Sequence, residues 1–258
     1  MQPANLRSRI KNAYWRLRSG RTARASHFAA DFRDEFRSQY TGRAAEIFFS
    51  NEVEPIHKWL HYLPIYDELF APFVGREIRF LEIGVFRGGS LRMWRQFFGA
   101  EGVLYGIDID PKCAAYDGRH GQVRIGSQND PEFLKRVVAE MGGVDVVLDD
   151  GSHRAGDQRV SFDVLFPLLA QGGLYVIEDM HTSYWPQWEG GLRRPGAAVE
   201  FLKDKIDEMH RHYVRRGFNT ADAIPEIASI QFFDSIAAVR KQKQRPRHHV
   251  IVPPIAPA

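Results

Sequence analysis

From Glu77 onward, short apolar runs of strand length alternate with longer stretches whose apolar residues recur at helical spacing, a pattern that predicts a mostly parallel α/β sheet. Ile78, Phe80, Leu81 and Ile83 form the first run, and Leu91, Trp94 and Phe98 mark one face of the helix after it. Further strands are predicted at 102–108, 123–125, 144–149 and 173–177, with helices around Cys113, over 131–141 and over 157–169. A charged amphipathic helix over 197–216 precedes two strands, 227–233 and 235–239, joined so tightly that they predict an antiparallel hairpin at the sheet edge. Before Glu77 the pattern is helical, over 28–36, 43–49 and 59–73. The predicted organisation is a helical extension over 1–75, an α/β domain over 76–240 and a basic, proline-rich tail over 241–258.

The polar positions gather where these strands end. Gly84, Gly88 and Gly89 follow the first strand and permit close backbone approach, and the helix start at 88–90 offers free N–H groups to a carboxylate or a phosphate. The spacing is G-x-x-x-G-G behind Glu82, not the G-x-G-x-x-G of dinucleotide sites. Asp108 ends the second strand, where a carboxylate accepts from both ribose hydroxyls; Asp110 is the alternative. Ser127 and Gln128, in the loop after the third strand, have the donors and acceptors to read an adenine edge.

Asp149-Asp150 and Glu178-Asp179 end the fourth and fifth strands. Like charges this close raise one another's pKa, so a hard divalent cation is the natural partner. Asp150, Glu178 and Asp179 would give magnesium three ligands and leave open positions. His153 is either a base or a structural histidine; its place three residues after Asp150 favours the base. The aromatic run 57–66, with His61 and Tyr66, is either helix packing or a substrate-facing wall. The segment 180–195, with His181, Tyr184 and Trp185, is long enough to be a lid.

Composition narrows the class. With 258 residues and 44% hydrophobic content, one core is expected. The single cysteine, Cys113, excludes an intramolecular disulfide and a cysteine-based zinc site, and suggests a reducing, cytoplasmic location. No apolar run approaches the ~20 residues of a membrane span. The net charge of +3 conceals basic ends: seven Arg or Lys within residues 1–25 and four within 241–247 leave the body between them at about −8. Leu6, Ile10, Ala13, Tyr14 and Leu17 share one helical face, so the basic leader reads first as a packed helix and a contact within a homo-oligomer, and nucleic acid is not an expected partner.

Several motifs carry a family resemblance. Leu81-Glu-Ile-Gly-Val-Phe-Arg-Gly-Gly-Ser90 resembles the E-x-G-x-x-x-G first motif of S-adenosylmethionine (SAM) methyltransferases. With Gly106-Ile-Asp-Ile-Asp-Pro111, Asp149-Asp-Gly-Ser-His153, Ile177-Glu-Asp-Met-His-Thr-Ser-Tyr-Trp185 and Phe232-Phe-Asp-Ser-Ile236, it resembles the metal- and SAM-dependent sugar O-methyltransferases. That family includes the mycinamicin-type macrolide-sugar enzymes and is similar to rhamnosyl O-methyltransferases and cephalosporin-hydroxylase-like proteins. The resemblance covers roughly residues 57–240 and leaves the two ends unaccounted for.

The resemblance implies a Rossmann-like class I SAM methyltransferase fold, with SAM and Mg2+ as cofactors and a hydroxyl of a sugar or glycoconjugate as acceptor. It implies Asp150, Glu178 and Asp179 as metal ligands and His153 as general base. A more distant similarity to catechol O-methyltransferase, in the glycine turn and in Ile107-Asp-Ile-Asp-Pro-Lys-Cys-Ala-Ala115, suggests Ser90 for the methionine carboxylate, Asp108 for ribose and Gln128 for adenine; Glu82, Gly84, Ser127 and Asp149 join them as expected cofactor residues, and His61, Tyr66, His181, Tyr184 and Trp185, from the aromatic run and the lid, are the expected acceptor residues. Macrolide-sugar members carry a larger N-terminal domain, so the acceptor itself does not transfer. The rival readings are a methyltransferase of nucleic acid or of a phenol, and a SAM-binding module without turnover. Against the nucleic-acid reading, the fourth strand is followed by Asp-Asp-Gly-Ser rather than the Asn/Asp-Pro-Pro-Tyr/Phe of amino-group methyltransferases.

Overall fold

The structure, a computed structural model, describes residues 36–213, 226–245 and 247–252. The leader face Leu6 to Leu17, nearly all of the expected 28–36 helix and the end of the 197–216 helix lie outside them. Seven strands form one sheet in the order β3-β2-β1-β4-β5-β7-β6. They are β1 Arg79–Ile83, β2 Val103–Asp108, β3 Gln122–Ile125, β4 Val144–Asp149, β5 Leu169–Ile177, β6 Ile227–Phe233 and β7 Ile236–Lys241. The first five run parallel, β7 is antiparallel to β5, and β6 pairs with β7 at the edge as the hairpin pattern predicts.

The helices cover both faces. On one side α1 (Arg43–Phe49), α2 (Tyr62–Phe70) and α3 (Gly89–Phe98) enclose Phe80, Val146, Leu148, Leu174 and Val176. On the other, α4 (Pro131–Met141), α5 (Ala155–Leu165) and α6 (Ala198–His210) enclose Leu81, Ile83, Val147, Tyr175 and Ile177. Alternate strand residues thus feed two cores, as a parallel sheet buried on both faces requires. Helices α1 and α2 share the core of the sheet, so the described part of the predicted 1–75 extension is built into the domain.

Several boundaries differ from expectation for local reasons. The predicted 59–73 helix begins only at Tyr62. Pro64 lacks an N–H and is tolerated in the first turn of a helix but not in its interior, so residues 57–59 stay non-helical. The 157–169 helix ends at Leu165 and tightens into a 3₁₀ turn over Phe166–Leu168, where Pro167 removes a donor. The helix around Cys113 is a 3₁₀ segment, Pro111–Tyr116, capped by the Asp110 side chain on the Lys112 N–H. Helix α4 keeps its predicted bounds, because Asp130 caps it through the N–H groups of Glu132 and Phe133 and Gly142 ends it at φ 75°.

Between β1 and β4 the connections diverge to opposite sides of the sheet, the topological switch point where open α/β sheets bind ligands beyond the carboxyl ends of their strands. All the acidic pairs lie at that edge. Among the described residues no helix is long and apolar enough to cross a membrane.

Candidate functional site

Two backbone bonds fix the floor of the site: Asp150 N–H donates to the Ile83 carbonyl at 2.9 Å and Glu178 N–H to the Asp149 carbonyl at 2.9 Å. Gly84 is required here, since at φ 101° a Cβ would sit 2.3 Å from the Asp150 carbonyl oxygen. The end of β1 and both acidic pairs are thereby drawn to one place.

The second acid of each pair opens to the mouth. Asp150, Asp179 and His153 present ligand atoms all within 4.8 Å of one another. His153 Nε2 lies 3.5 Å from Asp179 Oδ2 and 4.0 Å from Asp150 Oδ1. The backbones of His153 (φ 58°) and Asp179 (φ 55°) are left-handed, which costs of order 1–2 kcal/mol per residue and turns both side chains inward. The buried Thr182 hydroxyl secures them, lying 2.7 Å from the Asp179 carbonyl and 3.2 Å from that of His153. Tyr62 O–H donates to Asp179 Oδ1 at 2.7 Å.

The first acid of each pair is buried. Asp149 accepts from Ser161 Oγ (2.6 Å), Tyr175 O–H (3.1 Å) and Gln128 Nε2 (3.2 Å), and burial raises its pKa. Asp149 has no exposed surface, and the Gln128 amide is used at both ends, its Oε1 accepting from Ser152 N–H at 2.6 Å. Glu178 accepts from Lys58 Nζ at 2.9 and 3.0 Å and from Tyr66 O–H at 2.7 Å. Tyr66 is fully buried and belongs to the core, not to an acceptor wall. Asp150 Oδ2 and Glu178 Oε2 converge on the Lys58 ammonium, 2.6 and 2.9 Å from it, while Asp150, His153 and Asp179 form the group of closely spaced ligand atoms at the mouth.

Lys58, which the sequence reading passed over as one member of an aromatic run, reaches Asp150 Oδ2 at 2.6 Å and Glu82 at 3.9 Å besides Glu178. Burial alone would favour loss of its proton, but Asp150, Glu178 and Glu82 outweigh that and hold the ammonium pKa above the ordinary lysine value. Glu82, fully buried, accepts from Ser90 Oγ (2.7 Å) and Trp94 Nε1 (2.9 Å), and burial pushes its pKa up to about 7. Both Glu82 and Ser90 thus brace the turn rather than stand free in it. The Asp108 carboxylate accepts from the N–H groups of Val85 and Phe86 at 3.0 Å and of Asp110 at 2.9 Å. Beside it, Ile109 is 73% and Phe86 60% exposed. Ser127 is half-buried, and its Oγ accepts from the Asn129 N–H.

An aromatic rim borders the mouth. The His181 ring lies 4.8 Å from Trp185 and 6.0 Å from Trp59, which in turn lies 5.9 Å from His61. His181 Nδ1 is 2.6 Å from Ser235 Oγ, and burial lowers the pKa of its ring against the pull of Asp179. Tyr184 is half exposed. The segment 180–195 is tied down: Glu189 accepts from Gly156 N–H at 2.9 Å and pairs with Arg154. Trp59 and Tyr62, like Lys58, escaped the sequence reading; the density of aromatics over 57–66 was the available signal.

The donors fit a hard divalent cation. Asp150 and Asp179 are carboxylates with side chains 21% exposed, and the buried His153 Nδ1 has no hydrogen-bond partner. They also fit a nucleoside-bearing cofactor, since Asp108 stands beside two apolar side chains left uncovered at the switch point.

Known proteins extend this picture. A family model described as a methyltransferase domain matches residues 81–180. The chain is 38% identical over 197 residues to the 8-demethyl-8-alpha-L-rhamnosyl tetracenomycin-C 2'-O-methyltransferase of Streptomyces olivaceus, covering 72% of this chain and 52% of that protein. It is 38% identical over 201 residues to the mycinamicin VI 2''-O-methyltransferase of Micromonospora griseorubida, covering 72% and 50%. The chain spans about half the length of the curated relatives it matches. Among solved structures, the MycE methyltransferase from the mycinamycin biosynthetic pathway, in complex with Mg and SAH, superposes with a TM-score of 0.70 at 35% identity, over 79% of this chain and 55% of that one. The same protein has also been solved with mycinamycin VI bound. With a class I SAM methyltransferase fold, a matched methyltransferase domain and these relatives, the chain is a homologue of the sugar O-methyltransferases of macrolide and tetracenomycin pathways.

Proposed function

We propose that this protein is a SAM- and divalent-cation-dependent O-methyltransferase acting on a hydroxyl of a sugar or glycoconjugate. The observation that carries the reading is the mouth at the switch point, where Asp150, His153 and Asp179 converge between the glycine turn and an aromatic rim. Magnesium prefers oxygen ligands, so Asp150, Glu178 and Asp179 are the ones to hold it, leaving the imidazole of His153 for a proton. When bound, SAM supplies an electrophilic methyl group and the cation supplies positive charge next to the acceptor oxygen.

The chain's own residues do the rest. His153 Nε2 takes the proton of the acceptor hydroxyl, a group too weakly acidic to ionise unaided at neutral pH. Trp59, His61, His181 and Trp185 offer ring faces on which the apolar face of a pyranose can lie, and Tyr184 stands exposed in the same segment. Asp108 accepts from ribose hydroxyls, while Ile109 and Phe86 cover apolar surface of the nucleoside. Orientation at such a mouth is the main source of rate. The relatives' named substrates support a rhamnosyl or macrolide-type sugar. Self-association of the chain is part of the same proposal.

The test is incubation with labelled SAM, Mg2+ and a panel of rhamnosides, mannosides, macrolide sugars, phenols and RNA. Transfer to a sugar that stops in chelator and returns with Mg2+ is expected. Transfer to a phenol or to RNA alone, or transfer unaffected by chelator, would overturn the reading.

A further inference from the structure

We infer that the acceptor is a glycan of at least two sugars, and that Trp185 and Trp188, with the Arg154–Glu189 ion pair at their end, form the subsite for the sugar next to the one methylated. The inference rests on the sugar reading above and deepens it.

Tryptophan carries the largest side chain and is on average highly buried. Of the described tryptophans, Trp94 alone belongs to a hydrophobic core; Trp59, Trp185 and Trp188 belong to none. Trp59 is 49% exposed, and Trp185 and Trp188 are half-buried. All three lie in one row that starts at the mouth. His181, whose Nδ1 is 3.9 Å from Asp179 Oδ1, stands between Trp59 at 6.0 Å and Trp185 at 4.8 Å, and Trp188 follows Trp185 at 5.4 Å. A single pyranose covers little more than one indole, so the row outruns one sugar.

The far end of the row is fixed before any ligand arrives. The N–H groups of Trp188 and Gly190 both donate to the Trp185 carbonyl at 3.0 Å, and Gly191 N–H donates to the Ser183 carbonyl at 2.8 Å. A Cβ on Gly190 would come within 2.5 Å of that Ser183 carbonyl, so the turn packs directly on the segment before it. A platform held this way loses little freedom when it binds.

The chemistry at that end selects the occupant. Arg154 pairs with Glu189, their side chains 49% and 40% exposed, and Glu189 also accepts from Gly156 N–H at 2.9 Å. Arg154 follows His153 in the chain, so the row leaves the mouth and returns to the loop that carries the proposed base. A guanidinium donates and a carboxylate accepts, and sugar hydroxyls do both. A hydrocarbon aglycone laid over Trp188 would desolvate the pair without replacing its bonds to water; a second sugar stacks on the indole and hydrogen-bonds to the pair.

The test is calorimetry on the full chain loaded with Mg2+ and SAH. The probes are methyl α-L-rhamnoside, methyl α-D-mannoside, the matching disaccharides, and naphthyl α-L-rhamnoside as a hydrocarbon aglycone. A disaccharide should bind about tenfold tighter than its monosaccharide. Trp188→Ala should remove most of that ratio, and Trp188→Tyr, which keeps an aromatic face, should retain it. Equal affinity for the two lengths in wild type, or an undiminished ratio in a folded Trp188→Ala, would overturn the inference. So would a naphthyl rhamnoside that gains as much as the disaccharide and loses it in Trp188→Ala, since the platform would then serve an aglycone. Should Trp188→Ala fail to fold, saturation-transfer NMR on wild type decides: saturation passing from the protein's aromatic protons to both sugar rings supports the inference, and to one ring only overturns it. Binding of neither monosaccharides nor disaccharides would overturn the sugar reading together with this one, an outcome distinct from equal binding of both.

Discussion

The two faces of the sheet treat buried acids in opposite ways at the same edge. On the α4–α5 side, Asp149 is held by neutral groups: the Ser161 and Tyr175 hydroxyls and the Gln128 amide. On the α2–α3 side, Glu82, Asp150 and Glu178 are held by an ammonium. One desolvated carboxylate can be satisfied by hydrogen bonds, because several donors fit around it. Three within reach of each other cannot, because their mutual repulsion survives the hydrogen bonding and only charge removes it. The first arrangement holds a loop in place; the second prepares an electrostatic site.

The largest expected effect falls at the mouth between the two. His153→Ala should lower turnover on the best sugar by roughly 10²–10⁴-fold, with metal and SAH affinity kept, as steady-state rates and calorimetry would report. Equal loss of Mn2+ binding would instead make His153 a ligand.

The neutral face is broken by Ser161→Ala. Asp149 would lose its shortest donor, and a destabilisation of about 1–3 kcal/mol is expected in denaturant unfolding, with Mn2+ affinity at the wild-type value. A change in metal affinity without loss of stability would mean the two faces are not separate.

Asp108→Asn tests the cofactor side. Its carboxylate both anchors the Val85–Phe86 turn and faces the nucleoside region, so SAH should bind about tenfold more weakly by calorimetry. Unchanged affinity would move the ribose contact to Asp110.

The smallest effect lies at the opposite edge of the sheet. Burial alone would raise the pKa of Asp145, but its hydrogen bonds from the Arg79 guanidinium and backbone N–H prevail and hold it below the usual carboxylate value. A depressed folded-state pKa gives stability present above the unfolded pKa and lost as pH falls through the folded one. Arg79→Met should therefore cost about 1 kcal/mol at neutral pH, allowing for solvent screening of a partly exposed pair, and nothing in strong acid. Urea unfolding at both pH values would check it.

Much of this was legible in the chain alone. Apolar alternation and the glycine turn yielded β1 to β5, the edge hairpin and the bounds of α4, because those signals are local: strand length, an Asp cap, a glycine that must be left-handed. The motifs pointed to the right strand ends, the family and the cofactor class. Which acid of each pair faces solvent was decided only by the tertiary structure. Register sets that choice, and left-handed turns at His153 and Asp179 override simple alternation just where the site forms. Lys58 shows the limit most plainly. It lies 92 residues from Asp150 and 120 from Glu178 in the chain, and nothing in its own neighbourhood of aromatics marks it. Only the packing of residues 57–61 against the sheet face turns an ordinary lysine into the charge that Glu82, Asp150 and Glu178 share.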